Sequence, residues 1–248
     1  MILAAPNILQ CPHCGGLSTI SAIRSGNSMG MVEWSDSKRY APMLPRPSAV
    51  QRCPSCMQYF FLNRALVVGS CKSFFTPGSW GHLSYTSLKE ALEELQPTGE
   101  EEILLRTLIL QGYNDLYGGC HGTKHPSEAP TEERHYFEQN AKRLIKLVPE
   151  KKVFCAELLR ELGEFEKALA LLNDIIADDE TTPIVLQIKE RTLNHDQAVF
   201  VLDNDLATDC QRTPFDERTL YVYDPTTDER GIGNFKDDVL DYLHKTTD

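Results

Sequence analysis

The spacing of apolar positions changes along the chain and predicts two kinds of structure. Up to about residue 80 the apolar runs are short and are separated by Gly, Pro, Asn and Ser, which is typical of strands joined by turns. Extended segments are predicted at 17–23, 31–34 and 38–41. The segments 59–62 and 65–68 are predicted to form a closing strand or a short helix.

From about residue 84 the apolar spacing becomes that of amphipathic helices. Capping-box patterns at Ser87 and Thr98 predict two helix starts, and Thr131 predicts a third. Further helices are predicted at 150–162, 165–177 and 183–193. Helices that follow one another through short turns are typical of an array of α-helical hairpins.

The hairpin at 149–182 resembles a tetratricopeptide repeat (TPR). The matching positions are small or turn-forming residues: Ala156, Gly163, Phe165 and Ala168. Lys152 departs from the pattern, because the family has a large aromatic residue near that position. Repeats of this kind bury their apolar faces by stacking, so the resemblance implies a helical domain whose concave face binds a protein or peptide.

Two Cys-Pro-x-Cys motifs add candidate chemistry to the first part of the chain. Their cysteines are Cys11, Cys14, Cys53 and Cys56. Two such pairs complete a closed tetrahedral zinc site, and four thiolates leave no position open for water. We therefore expect one structural Zn²⁺. Gly15 suits the left-handed conformation that the turn needs, whereas Met57 predicts a strained or differently shaped second turn.

The sequence also indicates the cellular compartment in which four reduced cysteines are expected. A disulfide framework needs an oxidising compartment, and residues 1–10 lack the basic start and long apolar run of a signal peptide. No apolar run approaches the roughly 18 residues that a membrane span requires. The expected location is the cytoplasm, with the cysteines reduced.

Charge is distributed unevenly along the chain. The net charge is −11, but residues 1–80 contain seven Lys or Arg against two Asp or Glu, giving +5 and leaving −16 for the rest. Four thiolates and one Zn²⁺ would lower the first value to +3. This is weaker than the dense basic surface of nucleic-acid-binding domains, and the acidic remainder would repel phosphate.

Two other motifs favour loops over active sites. Residues 26–30 spell the Gly-x-Ser-x-Gly of a hydrolase nucleophile elbow, but no helix pattern follows, so a glycine-rich β-turn is expected. Cys120, His121 and His125 have irregular spacing, which favours a polar loop over a second metal site.

Together these patterns predict an α+β protein. A four-cysteine zinc ribbon is expected at 1–80, a TPR-like helical domain at 84–206, and a C-terminal extension at 207–248 with a strand near 219–223 and a helix near 235–244. Over about residues 9–200 the layout also resembles an uncharacterised family of bacterial cytoplasmic proteins. The shared features are the knuckles, the Leu-Arg-Glu-Leu-Gly hairpin and the stretches Trp34-Ser35-Asp36-Ser37-Lys38 and Ala41-Pro42-Met43-Leu44-Pro45.

Three functions are compatible with this layout. The favoured one is a non-enzymatic zinc-binding scaffold that binds a protein or peptide through its helical domain. The first alternative is a nucleic-acid-binding ribbon that uses Arg24, Lys38, Arg39, Arg46 and Arg52. The second alternative is an enzyme with an unrecognised site.

Overall fold

The computed structural model describes residues 1–72, 79–120, 123–176 and 182–202, together with a short strand at 221–222. The strands are β1 (Ile2–Gln10), β2 (Leu17–Ser25), β3 (Val32–Glu33), β4 (Arg39–Tyr40), β5 (Val50–Arg52), β6 (Tyr59–Phe61), β7 (Leu66–Ser70) and β8 (Tyr221–Val222). The helices are α1 (Tyr85–Leu95), α2 (Glu100–Tyr117), α3 (Thr131–Leu147), α4 (Lys152–Glu161), α5 (Phe165–Asn173) and α6 (Thr182–Leu193), and 3₁₀ turns lie at Leu62–Arg64 and Pro126–Glu128. The predicted α+β class is confirmed, with strands and four close cysteines before six helices in the described part of the chain.

The described residues form two compact units that are not contiguous in sequence. The ribbon unit comprises residues 1–29 and 42–95 together with β8, and the helical unit comprises residues 30–41 and 96–202. These two units are defined by contacts between residues. The domain ranges 1–80, 84–206 and 207–248 are based on the spacing of apolar residues in the sequence, and they stay predictions. The predicted strand near 219–223 contains β8, and the helix predicted near 235–244 lies outside the described residues.

The main sheet of the ribbon unit has the order β7-β1-β2-β8, and each neighbouring pair is antiparallel. Its central strand β1 was not predicted from the sequence. The pairing of β1 with β2 shifts register between Ala4 and Asn7, on either side of Pro6, which has no N–H to donate to a ladder. The shift lets β1 continue to Gln10, next to the first knuckle.

Both knuckles are held by the core of the ribbon unit. Cys11 and Cys53 are buried in one cluster with Leu9, Ile20 and Phe60. β5 and β6 form the hairpin that carries the second knuckle, with Arg52 opposite Tyr59. Apolar packing therefore positions the sulfur atoms before any metal is considered.

Helix α1 packs on β6 within the ribbon unit. The hydroxyl of Tyr59 donates to Glu90 Oε2 at 2.7 Å, and its backbone N–H donates to Glu94 Oε1 at 3.0 Å. Periodicity had grouped this helix with the later ones. The difference arises because the buried face of α1, with Leu88 and Ala91, covers the short hairpin.

In the helical unit, helices 2 to 6 pack in sequence order, with α4 and α5 as an antiparallel pair. Ala156 and Ala168 are fully buried, and Gly163 has a φ of +76° just after α4 ends. The predicted end of the helix at Gly163 is confirmed. The α5 helix ends at Asn173 and residues 174–176 are not helical, so the predicted helix at 165–177 is too long.

Residues 30–41 leave the ribbon and form a small hairpin within the helical unit. Trp34 N–H donates to Lys38 O and Ser37 N–H donates to Trp34 O, both at 2.9 Å. Trp34 is buried against Val199, and the N–H of Ser35 donates to Phe200 O. Residues 30–41 of the stretch between the knuckles thus belong to the helical unit, whereas the rest of that stretch belongs to the ribbon unit.

The helix starts differ from those predicted. The predicted capping positions were Ser87, Thr98 and Thr131. Ser84 caps α1 instead, because its Oγ accepts from Ser87 N–H at 3.2 Å. Gly99 precedes α2 and Pro130 precedes α3, and neither start has a side-chain cap. The acidic first turns of α2 and α3 offset the helix dipole in place of a cap.

Candidate functional site

The four predicted cysteines meet at one point in the ribbon unit. Cys11 Sγ lies 3.9 Å from Cys56 Sγ, and Cys14 Sγ lies 3.7 Å from Cys53 Sγ. All four sulfur atoms lie within 4.8 Å of one another. Metal–sulfur bonds of about 2.3 Å in a tetrahedron give sulfur–sulfur separations of about 3.8 Å, whereas a disulfide is about 2.05 Å. The geometry fits one tetrahedral metal ion.

The two knuckles have the same backbone turn. In the first, Cys11 N–H donates to Gly16 O at 2.9 Å and Gly15 N–H donates to Cys11 O at 3.0 Å. In the second, residues 53, 57 and 58 make the equivalent bonds, each at 2.9 Å. Gly15 has a φ of +71° and Met57 a φ of +63°, so the second turn keeps the same shape and is strained at Met57.

Backbone donors surround the sulfur atoms. His13 N–H donates to Cys11 Sγ, Gly16 N–H to Cys14 Sγ and Ser55 N–H to Cys53 Sγ, each at 3.4 Å. Hydrogen bonds of this kind stabilise the thiolate form, which is the form that binds metal. The turn therefore supplies part of the charge stabilisation that a four-thiolate site needs.

The pKa values within the cluster are spread widely. At Cys53 burial raises the pKa, but hydrogen bonds from the N–H groups of Cys56 and Ser55 and from the thiols of Cys56 and Cys11 together outweigh burial and lower the pKa to about 7. At Cys56 the backbone of Gln58 lowers the pKa, while burial and the neighbouring thiols raise it to about 12. Four thiols this close cannot all ionise without a cation, since each thiolate disfavours the next. A bound dication would relieve that repulsion.

Among the described residues, this is the one group of His, Cys, Asp or Glu side chains whose ligand atoms converge. Cys120 lies in a turn with Thr123, His125 caps the 3₁₀ turn by accepting from Ser127 N–H at 3.3 Å, and His121 lies outside the described residues. Residues 26–30 connect β2 to β3 without a helix, so they lack the setting of a nucleophile elbow.

The basic residues proposed for nucleic-acid binding are not equally available. Lys38 is buried and its Nζ lies 2.6 Å from Asp115 Oδ1, so it cannot contact a phosphate backbone. The Arg39 guanidinium pairs with Glu33 at 3.0 Å and remains largely exposed. Arg24 and Arg46 are exposed, and Arg52 lies over the Tyr59 ring.

The structure also contains a buried polar cluster that was not predicted from the sequence. Its members are Asp36, Lys38, Asn114, Asp115, Glu157, Arg160 and Glu161, all less than 10% exposed and all in the helical unit. The nearest sequence signal is the i,i+3 spacing of Glu157 and Arg160, which indicates an ion pair but not its burial. Burial depends on the packing of residues 30–41 against the helices.

A groove in the helical unit is lined by apolar and by polar or charged residues in equal number. It has a volume of about 660 Å³ and includes Val153, Ile175, Ile176, Ile184 and Leu202. Ile176 is fully exposed there. A groove of this size is within the range of cavities that bind small ligands.

Comparisons of the chain with models of protein families, with curated proteins and with solved structures find no match. The resemblances to the TPR family and to a bacterial family therefore stay predictions. Among the helices of the described residues, none combines the length and apolar character needed to cross a membrane.

Proposed function

We propose that this protein is a non-enzymatic zinc-binding scaffold, with one structural Zn²⁺ in the ribbon unit and a peptide-binding groove in the helical unit. The observation that carries the metal assignment is the set of four sulfur atoms at tetrahedral spacing. Zinc is favoured because four thiolates at this spacing form a closed site. Its role is to cross-link the turn that follows β1 to the β5–β6 hairpin, next to the apolar cluster that holds Cys11 and Cys53.

The groove supports the choice of a peptide partner. Its apolar side chains come from α4, from α6, from residues 175 and 176 just after α5, and from Leu202. Exposed Ile176 lies among them, and a peptide with two or more apolar side chains would cover it. This partner is consistent with the TPR-like character expected of the hairpin.

Selection of peptides on the full chain, followed by fluorescence anisotropy, tests this proposal. Ile176→Asp places a charge in the groove and is expected to weaken the selected peptides by about tenfold or more, roughly 1.4 kcal/mol. Leu186→Asp is the matched control, because Leu186 is exposed on α6 but is not part of the groove. If both variants bind the peptides as tightly as the unaltered chain, the groove is not the binding site.

The nucleic-acid alternative ranks second. Lys38 cannot be part of its basic surface, because it is buried and paired with Asp115. The remaining arginines carry too little charge to offset the −16 on the rest of the chain. The enzyme alternative ranks third, because four thiolates would leave the metal no open position for a substrate. A reduced four-thiolate site also favours a cytoplasmic location.

A further inference from the structure

A second, smaller cavity lies in the helical unit beside the buried polar cluster. Its volume is about 140 Å³, and its wall includes Tyr113, Arg134, Phe137, Glu161 and Gln197. Pockets for drug-sized ligands measure about 300–1,000 Å³, so this cavity suits a group of only a few heavy atoms. The wall combines aromatic rings with charged groups, which narrows the chemistry of a ligand.

Glu161 is the wall residue whose hydrogen bonding is incomplete. Its side chain is 6% exposed, and its Oε2 accepts from Asn114 Nδ2 at 3.0 Å. Its other oxygen, Oε1, is buried and has no hydrogen-bond partner among the residues that the structure describes. A buried acceptor without a donor is destabilising, and more so when it is charged. Because Glu161 is part of the cavity wall, an N–H donor bound in the cavity could supply the missing hydrogen bond.

The basic side chains of the buried polar cluster are already used by other carboxylates. Arg160 donates to Glu157 through Nε at 2.8 Å and Nη2 at 2.5 Å. Lys38 pairs with Asp115 at 2.6 Å. Within the described part of the chain, no ion pair includes Glu161.

Asn114 links Glu161 to another carboxylate without supplying charge. Its Nδ2 donates to Glu161 Oε2 and, at 3.1 Å, to Asp36 Oδ2. The cluster contains four carboxylates, at Asp36, Asp115, Glu157 and Glu161, and two cations, at Lys38 and Arg160. With all of their charged groups ionised, these cluster residues carry a net −2, and a cation in the cavity would reduce that excess.

We propose that this cavity binds a small organic cation of the guanidinium class, with Glu161 as its counter-ion. A planar guanidinium donates two parallel N–H bonds to a carboxylate and packs against aromatic faces. Tyr113 and Phe137 stack on each other with ring centroids 4.4 Å apart, so a guanidinium would pack against an outer face of this pair and not between the rings. Arg134 on the wall donates to the carbonyl oxygens of Ser127 and Ala129, at 3.3 and 3.2 Å.

Binding is expected to release a proton. The charged or titratable groups around Glu161 are the other members of the buried polar cluster, together with Tyr113, Arg134 and Glu138 of the cavity wall. Burial, with the nearby carboxylates of Glu157 and Asp36, raises the pKa of Glu161 well above its ordinary value, although Arg160 and Asn114 act in the opposite direction. A bound cation favours the carboxylate, so affinity should rise with pH until Glu161 ionises unaided.

Isothermal titration of the full chain with methylguanidinium chloride tests the proposal, with methylurea as a neutral isostere and KCl as an ionic-strength control. Saturable binding of methylguanidinium, but not of methylurea, is expected. Glu161→Gln should lower the affinity by about tenfold or more, the equivalent of roughly 1.4 kcal/mol. Glu132→Gln, at an exposed position of α3 outside the cavity, should leave it unchanged.

Titrations of the unaltered chain in two buffers of different ionisation enthalpy measure the number of protons released on binding. This measurement does not need a variant, so it tests the proposal even if Glu161→Gln does not fold. Equal binding of methylurea, tighter binding of methylammonium, or no saturable binding of methylguanidinium would each overturn the proposal. A capped Gly-Arg-Gly peptide separates two sources of the ligand, both of which support the site. Tighter binding of the peptide assigns an arginine side chain, and binding of methylguanidinium alone assigns a free small molecule.

Discussion

Met57 is the residue at which the second knuckle stores strain. A side chain in the left-handed region costs about 1–2 kcal/mol relative to a residue without Cβ, and Gly15 avoids that cost in the first knuckle. Met57 is about half exposed, so burial of its side chain contributes little in return. The position is therefore open to a stabilising substitution.

Met57→Gly is expected to raise the free energy of unfolding by about 0.5–1 kcal/mol. The gain from relieved strain exceeds the added entropy of the unfolded chain, which is about 0.4–1 kcal/mol. Chemical denaturation of the protein as purified measures the change. Gly15→Ala is the reciprocal control and should destabilise the protein. A lower midpoint for Met57→Gly would show that its side chain makes a contact that outweighs the strain.

Glu161 should make stability depend on pH in a defined direction. Because its pKa is raised in the folded protein, its contribution to stability is complete below the ordinary carboxyl pKa and is lost as the pH rises through the folded value. Glu161→Gln keeps the shape without the titration. The stability of the unaltered chain relative to this variant should therefore fall as the pH rises above the ordinary carboxyl pKa. Urea midpoints for both chains measure it, and parallel curves would contradict the assignment.

At the scale of elements, the α4–α5 hairpin is the clearest case of close packing between helices. Ala156 and Ala168 are fully buried on the two helices, and Gly163 allows the tight turn between them. Small residues at such positions let the helix axes approach. The hairpin thus depends on side chains that the TPR resemblance had singled out.

Ala168→Leu is expected to destabilise the protein by about 1–3 kcal/mol, because added methylenes overpack a filled contact. The change is read from the unfolding midpoint. Ala170→Leu on the same helix is the matched control, since Ala170 is exposed and the larger side chain meets solvent. Equal unfolding midpoints for the two variants would mean that a larger side chain fits at position 168. Close contact at Ala168 would then not stabilise the packing of α4 on α5.

For the whole molecule, the first expectation is one tightly bound Zn²⁺ per chain. Metal analysis of protein purified without added zinc measures it, and a Cys11→Ser, Cys14→Ser double variant should lose the metal. Cys120→Ser, at a cysteine outside the cluster, should keep it. Full zinc occupancy in the double variant would overturn the assignment of the ligands.

Removal of the metal should affect the two units differently. Structural zinc contributes to folding directly, so chelation should increase hydrogen exchange in the ribbon unit first. Residues 30–41 should keep their protection with the helical unit, because Trp34 and the buried polar cluster hold them there. Simultaneous loss of protection over all of residues 1–70 would contradict this division.

Charge over the whole chain predicts weak binding to nucleic acids. Affinity that depends on phosphate contacts falls by about 0.9 log units per log unit of salt for each phosphate neutralised on duplex DNA. We expect no submicromolar binding to mixed DNA or RNA at physiological salt, measured by fluorescence titration of the full chain. Such binding would rank the ribbon's arginines above the groove as the functional surface.

The sequence by itself determined the features that depend on local spacing. The two Cys-Pro-x-Cys motifs located the sulfur cluster, and turn chemistry indicated Gly15 and the strain at Met57. The change of apolar period located the helices to within a few residues, except at the caps. These properties depend on neighbours within one turn or one motif, so the sequence contains the information needed.

Only the tertiary structure decided which distant segments meet. The insertion of residues 30–41 into the helical unit, the packing of α1 on β6 and the central strand β1 all depend on long-range pairing. The burial of Lys38 beside Asp115 follows from that insertion. The sequence pattern shows that a position is polar. Whether its charged side chain is solvated or buried in an ion pair depends on which distant segment packs over it.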